Sequence, residues 1–186
     1  MSYRTGWGYS KEFFNATDTR NFLAGFHNAM EMEVEKMSDS EIVSCNFDEW
    51  ANYLATKYSV IPISIFETNI ERRLTEAKVK RANPFRGAPY ERDYFEVDGV
   101  RITFKIPYDG EPKLFEVRPS TFIMSRFSTR SFVAPHEENC GSFTLEFEYT
   151  KQELQEKGDA MADYVQRQFE HEFESIRNMI AGIVNI

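Results

Sequence analysis

The sequence predicts an α+β fold with a helical N-terminal third, a mostly antiparallel β-sheet of four to six strands and a long amphipathic C-terminal helix. Apolar residues recur at helical spacing between residues 17 and 58 and again between residues 154 and 183. Between residues 94 and 149 they alternate with polar residues in several segments, which is the period of a strand with one buried face. The short connections between these segments favour antiparallel pairing.

Two helices are predicted in the N-terminal third. Thr17 or Asp18 can cap the first helix, which ends at residues 38–40. Asn46 with Glu49 forms the cap signature of the second, after a short link at residues 41–45. The apolar side chains at helical spacing are Phe22, Phe26, Met30, Val34 and Met37 in the first helix, and Phe47, Trp50, Tyr53, Leu54 and Tyr58 in the second.

The segment Ile65–Arg81 is open between helix and strand. Its composition favours a helix, whereas a strand here would extend the sheet. After it, Val100–Ile106 alternates strictly, and Asp98-Gly99 predicts a type I′ hairpin turn that pairs this strand with Tyr94–Val97. A further alternating strand, Phe143–Tyr149, precedes the C-terminal helix.

The last helix begins with a capping box. Thr150 can accept a hydrogen bond from an early backbone amide, and the Glu153 side chain can bond back to the Thr150 amide. The apolar positions that follow at helical spacing are Leu154, Met161, Val165, Phe169, Phe173, Ile176, Ile180 and Ile183. Residues 182–186 are still apolar, so we expect this end to be covered by the N-terminal helices, by a partner or by further chain.

The chain of 186 residues is long enough for one compact domain. Its composition divides it into a mostly helical region at residues 1–82, a linker at residues 83–92, and the sheet with its helix at residues 93–186. The two cysteines, Cys45 and Cys140, form no Cys-x-x-Cys pair, so neither a zinc ribbon nor a disulfide framework is indicated. No apolar leader or membrane-length segment occurs, and we expect a soluble cytoplasmic protein that does not bind membranes.

The negative charge is concentrated towards the C-terminus. The formal net charge of the chain is −8, and residues 137–174 alone contain eleven acidic and three basic residues. Such a surface repels nucleic acid, and it suits solubility or the binding of a basic protein partner.

Two histidine and glutamate pairs have the spacing of metal ligands. His27 and Glu31 lie four residues apart on the first helix, and His171 and Glu174 lie three apart on the last. The repeated Glu-x-x-His of carboxylate metal helices is missing. We therefore expect no metal site and no cofactor.

Two other clusters contain residue types that occur in catalysis. Glu111-Pro112-Lys113 with Asp98 or Asp109 upstream matches the residues of a magnesium-dependent nuclease. The proline removes a backbone donor that a central strand needs, and both aspartates stand in Asp-Gly pairs, so ordinary turns explain the same residues. Cys140 with His136 lies in a turn-rich loop, whereas a catalytic cysteine usually lies at a helix N-terminus or beside a cationic group.

A basic segment with interleaved aromatic residues is the remaining polar feature. From Val117 to His136 there is no acidic residue, while arginine, phenylalanine and hydroxyl side chains alternate. Guanidinium groups bind phosphate through two hydrogen bonds, and aromatic rings stack on bases. The candidate residues for an anion or nucleotide site are Arg118, Arg126, Arg130 and Phe127. The alternative is that the phenylalanines are core residues and the arginines form ion pairs with the acidic C-terminal helix across the sheet.

The sequence favours a protein without enzymatic activity, because these residues form no catalytic constellation. We expect a protein-interaction or adaptor module that is a subunit, or the N-terminal part, of a multi-component cytoplasmic assembly. It would bind a protein partner, or a second copy of itself, through the C-terminal helix. The residues predicted for this interface are Phe173, Ile176, Ile180 and Ile183. The alternatives are binding of a nucleotide or single-stranded nucleic acid through the Arg/Phe segment, and a metal-dependent nuclease.

Overall fold

The computed structural model describes residues 11–82, 94–119, 127–136 and 139–184. Its helices are α1 (Thr19–Glu35), α2 (Asp39–Ser44), α3 (Phe47–Lys57), α4 (Lys151–Lys157) and α5 (Met161–Val184). Its strands are β1 (Lys11–Phe13), β2 (Thr17–Asp18), β3 (Ser64–Ile65), β4 (Glu71–Ala82), β5 (Tyr94–Asp109), β6 (Val117–Arg118), β7 (Phe127–Thr129), β8 (Phe132–Val133) and β9 (Gly141–Thr150). Short 3₁₀ turns cover Glu67–Asn69, Pro112–Glu116 and Gly158–Ala160. The predicted linker at residues 83–92 lies outside the described residues.

A five-stranded sheet and a long C-terminal helix confirm the predicted α+β fold. The strands lie in the order β3, β5, β9 and β8, and β4 also pairs with β5. β5 pairs antiparallel with β4 over residues 94–105 and antiparallel with β9 over residues 99–108. The middle of β5 therefore has a hydrogen-bonded strand on each side.

The buried face of β5 and β9 follows the predicted alternation. Ile102 lies opposite Phe147, and Phe104 lies opposite Leu145. All four of these side chains are buried. The Phe104 ring stacks on Phe169 of α5 with ring centroids 4.1 Å apart. The apolar side of the helix and the apolar face of the sheet therefore form one aromatic core.

The predicted hairpin turn at Asp98-Gly99 is wrong, because both residues lie inside the continuous strand β5. Gly99 does not have a positive φ, and it lies opposite Ala77 of β4 and Thr150 of β9. A β-carbon at Gly99 would lie 2.3 Å from the Tyr149 carbonyl oxygen. Pairing on both sides of β5 outweighs the local turn preference, and the glycine serves the close approach of two backbones.

The segment Ile65–Arg81, whose sequence fits either a helix or a strand, forms most of the strand β4. It pairs with β5 over its whole length, from Glu71 opposite Lys105 to Ala82 opposite Tyr94. This pairing outweighs a composition that favours helix. It also joins residues from the predicted N-terminal region to the sheet. Within the described residues β4 has no strand on its other side, and its lysines and arginines discourage pairing there with another chain.

The C-terminal helical segment begins at the predicted capping box. The Thr150 hydroxyl oxygen accepts a hydrogen bond of 3.1 Å from the Glu153 amide, and the Glu153 carboxylate accepts one of 2.7 Å from the Thr150 amide. Gly158, with a φ of 49°, follows α4, and a 3₁₀ turn leads into α5. None of the described helices has the length and apolar character needed to cross a membrane.

The chain divides into two compact units, each made of separated segments. One consists mainly of residues 65–108 and 128–177, and the other mainly of residues 12–64 and 109–127. The second unit contains α1, α2 and α3. In that unit the Phe13 and Phe115 rings lie with centroids 4.8 Å apart, and β2 pairs in parallel with β6.

We expect Gly99→Ala to destabilise the protein and Gly25→Ala to stabilise it. The methyl group added at Gly99 meets backbone atoms, which costs about 1–3 kcal/mol. At Gly25, in α1, a β-carbon meets no atom within 4 Å, and alanine favours the helix by about 0.5–1 kcal/mol. Urea unfolding followed by circular dichroism measures both changes. An unfolding midpoint for Gly99→Ala equal to that of the wild type would contradict the close approach of β5 and β9.

Candidate interaction surface

Each of the three N-terminal helices begins at a capping residue. The Asp18 carboxylate accepts a hydrogen bond of 2.8 Å from the third amide of α1, as predicted for this position. The Asn46 side chain accepts one of 3.1 Å from the Asp48 amide at the start of α3, which confirms the second cap. Ser38, which the sequence places at the end of the first helix, instead caps α2 and forms a capping box with Glu41.

Four polar side chains, which we call the Glu33 clamp, join α1 to α3. They are Glu33, Tyr53, Lys57 and Tyr58. The Lys57 ammonium lies 2.7 Å from each carboxylate oxygen of Glu33, and the Tyr58 hydroxyl donates to the same carboxylate. The Tyr53 hydroxyl donates to it at 3.3 Å. The Tyr58 hydroxyl also lies 3.2 Å from the Ala29 carbonyl oxygen, one turn before Glu33, so the clamp joins the C-terminal part of α1 to the end of α3.

The hydrogen bonds of the clamp shift the pKa values of three of its members. Hydrogen bonds from Lys57 and Tyr58 lower the pKa of the Glu33 carboxyl below its ordinary value of 4.5. The hydrogen bond with Glu33 raises the pKa of Lys57 above 10.5 and that of Tyr58 above 10.0. At neutral pH the carboxylate is therefore ionised, the amine is protonated and the phenol is neutral, which is the combination that these contacts need.

The three N-terminal helices expose apolar side chains. α1 and α2 have no buried residue, and α3 has only Leu54. Among the described residues, thirteen large hydrophobic side chains are exposed, and eight of them lie between residues 23 and 61. Val43 is 87% exposed and Phe47 is 69% exposed. We call the five exposed apolar residues at and beside α2 the apolar tip: Met32, Val34, Ile42, Val43 and Phe47.

The tip residues come from three consecutive helices of one compact unit. The short helix α2 connects α1 to α3 and contributes Ile42 and Val43. Phe47, the first residue of α3, follows Val43 by four residues. These three residues therefore form the central part of the tip.

Acidic residues flank the apolar tip along the chain. Residues 31–49 contain seven acidic residues and one basic residue. Glu33 is paired with Lys57 in the clamp, Glu41 belongs to the capping box of α2, and Glu31 lies 3.2 Å from the imidazole of His27. The other acidic residues of this segment are exposed, and we call them the rim: Glu35, Asp39, Asp48 and Glu49. Three of them stand in the first turns of α2 and α3, where the helix dipole favours a negative charge.

A small apolar pocket lies at the first turns of α1. Its volume is about 180 Å³. The residues that line it are Thr19, Phe22, Leu23, Val60, Pro62, Leu114 and Ile183. Gly110, with a φ of 106°, lies directly against the lining residue Pro62, because a β-carbon at Gly110 would lie 2.3 Å from the Pro62 carbonyl oxygen. The pocket has room for an apolar side chain of a partner.

The residues predicted for the partner interface are buried. Phe173, Ile176, Ile180 and Ile183 are each no more than 7% exposed. The Phe173 ring stacks on Phe169 with centroids 5.2 Å apart, so it belongs to the aromatic core. A partner could contact these residues only after α5 had separated from its neighbours. Their role in partner binding stays a prediction, and the exposed apolar tip is the more accessible surface.

Three of the four residues predicted for the anion site lie in the described part of the chain. The Arg130 guanidinium lies 3.2 Å and 2.9 Å from two carboxylates of strand β9, whereas the alternative interpretation expects its partners on the acidic helix. Phe127 is buried. Arg118 is exposed, and Arg126 lies outside the described residues. Anion binding by this segment stays a prediction.

The candidate nuclease residues lie in ordinary structural roles. The Glu111 carboxylate accepts a hydrogen bond of 3.1 Å from the Lys113 amide at the start of a 3₁₀ turn, which is not a sheet strand. Asp98 bonds to Lys78 across β4 and β5, and this hydrogen bond lowers the pKa of the Asp98 carboxyl. Within the described residues, no group of three or more His, Cys, Asp or Glu side chains could hold a metal ion.

Sequence reasoning misses the apolar tip. Helical spacing predicts Phe47 on a packed side and leaves Val43 in a link, because periodicity does not show whether a helix face is covered. The signal in the sequence is the closeness of two caps, Ser38 and Asn46, which limits α2 to six residues. A helix this short has little surface with which to bury two adjacent branched residues. The chain matches no protein-family model, no curated protein and no solved structure.

We expect Glu33→Gln to weaken the contact between α1 and α3 at neutral pH. The folded pKa of Glu33 is depressed, so the carboxylate stabilises the folded protein above pH 4.5, and this contribution is lost as the pH falls through the folded pKa. Lys57 has a raised pKa, so its contribution is complete below pH 10.5 and is lost as the pH rises through its folded pKa. The stability difference between wild type and variant is therefore expected at neutral pH and should shrink under acidic conditions.

Urea unfolding at several pH values and hydrogen exchange of the α3 amides measure this change. Glu35→Gln is the matched control, because Glu35 is an exposed glutamate of the same helix outside the clamp. A difference that is independent of pH, or that is equally large for Glu35→Gln, would contradict the clamp.

Proposed function

We propose that the protein is a non-catalytic protein-interaction module that works as a subunit of a multi-component assembly. The observation that supports this proposal is the apolar tip, in which Val43 is 87% and Phe47 is 69% exposed. Single exposed apolar residues are normal on soluble proteins. A concentration of them in one short stretch of helices is typical of an interaction site.

The tip is suited to binding because contacts outside the tip hold its helices in place, so the tip side chains need not be buried for the helices to form. Caps at Asp18, Ser38 and Asn46 satisfy the first amides of the helices, and the Glu33 clamp joins α1 to α3. The tip side chains take no part in these contacts. A surface held in place by other residues loses little conformational freedom on binding, which favours affinity.

Partner binding would also stabilise these helices. Short helices gain most of their stability from packing of an apolar face, and α1, α2 and α3 together bury only Leu54. A partner that covers the tip removes apolar surface from water, at about 25 cal/mol per Å². Since it binds the folded form of the helices, it shifts the folding equilibrium towards that form.

We expect the double substitution Val43→Ser/Phe47→Ser to weaken partner binding about tenfold without unfolding the protein. Exposed positions of this kind change stability by about 0.5 kcal/mol or less. Affinity purification of tagged protein from its native cells, with quantitative mass spectrometry, compares the variant with the wild type. Val133→Ser is the matched control, because Val133 is a valine of the sheet with 52% exposure. A partner should be enriched by the wild type and by Val133→Ser, and reduced about tenfold by the double substitution.

Enrichment of the same polypeptides by all three proteins would contradict a role for the tip. Absence of any polypeptide enriched by the wild type over untagged cells would contradict the proposed function itself. Circular dichroism of the three purified proteins establishes that the variants are folded.

A further inference from the structure

We propose that the segment that binds the apolar tip is a basic amphipathic helix of another polypeptide. Its apolar residues would cover Val43 and Phe47, and its lysine or arginine side chains would lie against the carboxylates of the rim. This inference rests on the proposed function and adds the chemical class of the partner.

A partner must bind the tip through contacts with side chains, because the backbone groups of the tip are already hydrogen-bonded. An extended peptide adds to a protein by pairing with unsatisfied amides and carbonyls at a sheet edge. The tip consists of helices, in which those groups are bonded within the helix or to the caps at Ser38 and Asn46. An amphipathic helix, which presents apolar side chains every three or four residues, is the peptide structure that suits such a surface.

The charge of the rim determines the sign of the partner. Residues 31–49 have seven acidic residues against one basic residue, and Lys57 compensates one of the seven. The exposed carboxylates of Glu35 and Asp48 flank the segment that contains Ile42 and Val43. A nucleic acid or an anionic membrane carries the same sign and is repelled. A helix with lysine or arginine beside its apolar residues gains both contacts at once.

A second copy of this chain is disfavoured by the same charges. Two identical tips facing each other across a twofold axis would bring the two acidic rims together. Like charges placed opposite each other cost free energy, which increases as water is excluded. The partner is therefore expected to be a different polypeptide.

Fluorescence anisotropy with three labelled synthetic helices tests the inference on the purified full chain. The first peptide has leucines at helical spacing with lysines on the other positions, the second has glutamates in place of the lysines, and the third has the lysines but serines in place of the leucines. We expect the first to bind at least about tenfold more tightly than either of the others. Its affinity should fall when the salt concentration is raised from about 50 to 300 mM, because exposed charges are screened.

Three variants establish where the first peptide binds. Val43→Ser/Phe47→Ser and Glu35→Lys should each weaken it by about tenfold. Lysine near the end of a helix also suits the helix dipole, so Glu35→Lys should leave α1 folded. Glu174→Lys, an exposed glutamate of α5, changes the net charge equally and should leave the affinity unchanged. Equal loss with Glu174→Lys would contradict binding at the tip and would indicate attraction to the overall negative charge.

Other results distinguish this inference from the proposed function. If the glutamate peptide binds as tightly as the lysine peptide, the inference about charge is wrong, while a partner lost on Val43→Ser/Phe47→Ser in the purification still supports the interaction module. Binding to anionic vesicles or to a single-stranded oligonucleotide that the same substitutions weaken would overturn the inference. A concentration-dependent dimer in light scattering that disappears on Val43→Ser/Phe47→Ser would show that a second copy is the occupant.

Discussion

The contact between the Glu33 carboxylate and its three donors holds α1 and α3 together, and the apolar tip depends on it. The two helices have one buried residue, Leu54, so apolar packing contributes little to fixing their relative position. The clamp fixes the position of α1 relative to α3 through hydrogen bonds and an ion pair. In this ion pair the Lys57 ammonium donates to both carboxylate oxygens of Glu33. Its exposure to solvent makes it sensitive to pH and to salt, unlike the aromatic core of the sheet.

The chain uses apolar residues in two different ways. Around β5 and α5 they alternate or recur at the correct period and are buried, as with Phe104 and Phe169. In α1, α2 and α3 similar periods occur, but several of the apolar side chains are exposed, as with Val34 and Phe47, and others are only half-buried, as with Phe26. The first group stabilises the fold by removal of apolar surface from water. The apolar surface of the second group stays exposed to water, and its burial by a partner would favour binding.

The sequence predicts the fold class, the caps at Asp18, Asn46 and Thr150, and the alternation of the buried strands, because each depends on local chemistry. It fails at Gly99, where pairing with two strands overrides the turn preference of Asp-Gly. It also does not predict which apolar faces of the helices are covered. The burial of Ile176 and Ile180 and the exposure of Val43 are decided by which faces meet in three dimensions, and helical spacing contains no such information.

Photo-cross-linking from the tip inside the native cell tests most directly whether the tip binds another polypeptide. A benzophenone amino acid replaces Val43, which is the most exposed of the tip residues, and mass spectrometry maps the cross-linked peptide. We expect a cross-link to another polypeptide, within a segment that has apolar residues three and four apart and lysine or arginine between them. Cross-links confined to this chain, or to a second copy of it, would contradict binding of such a partner at the tip.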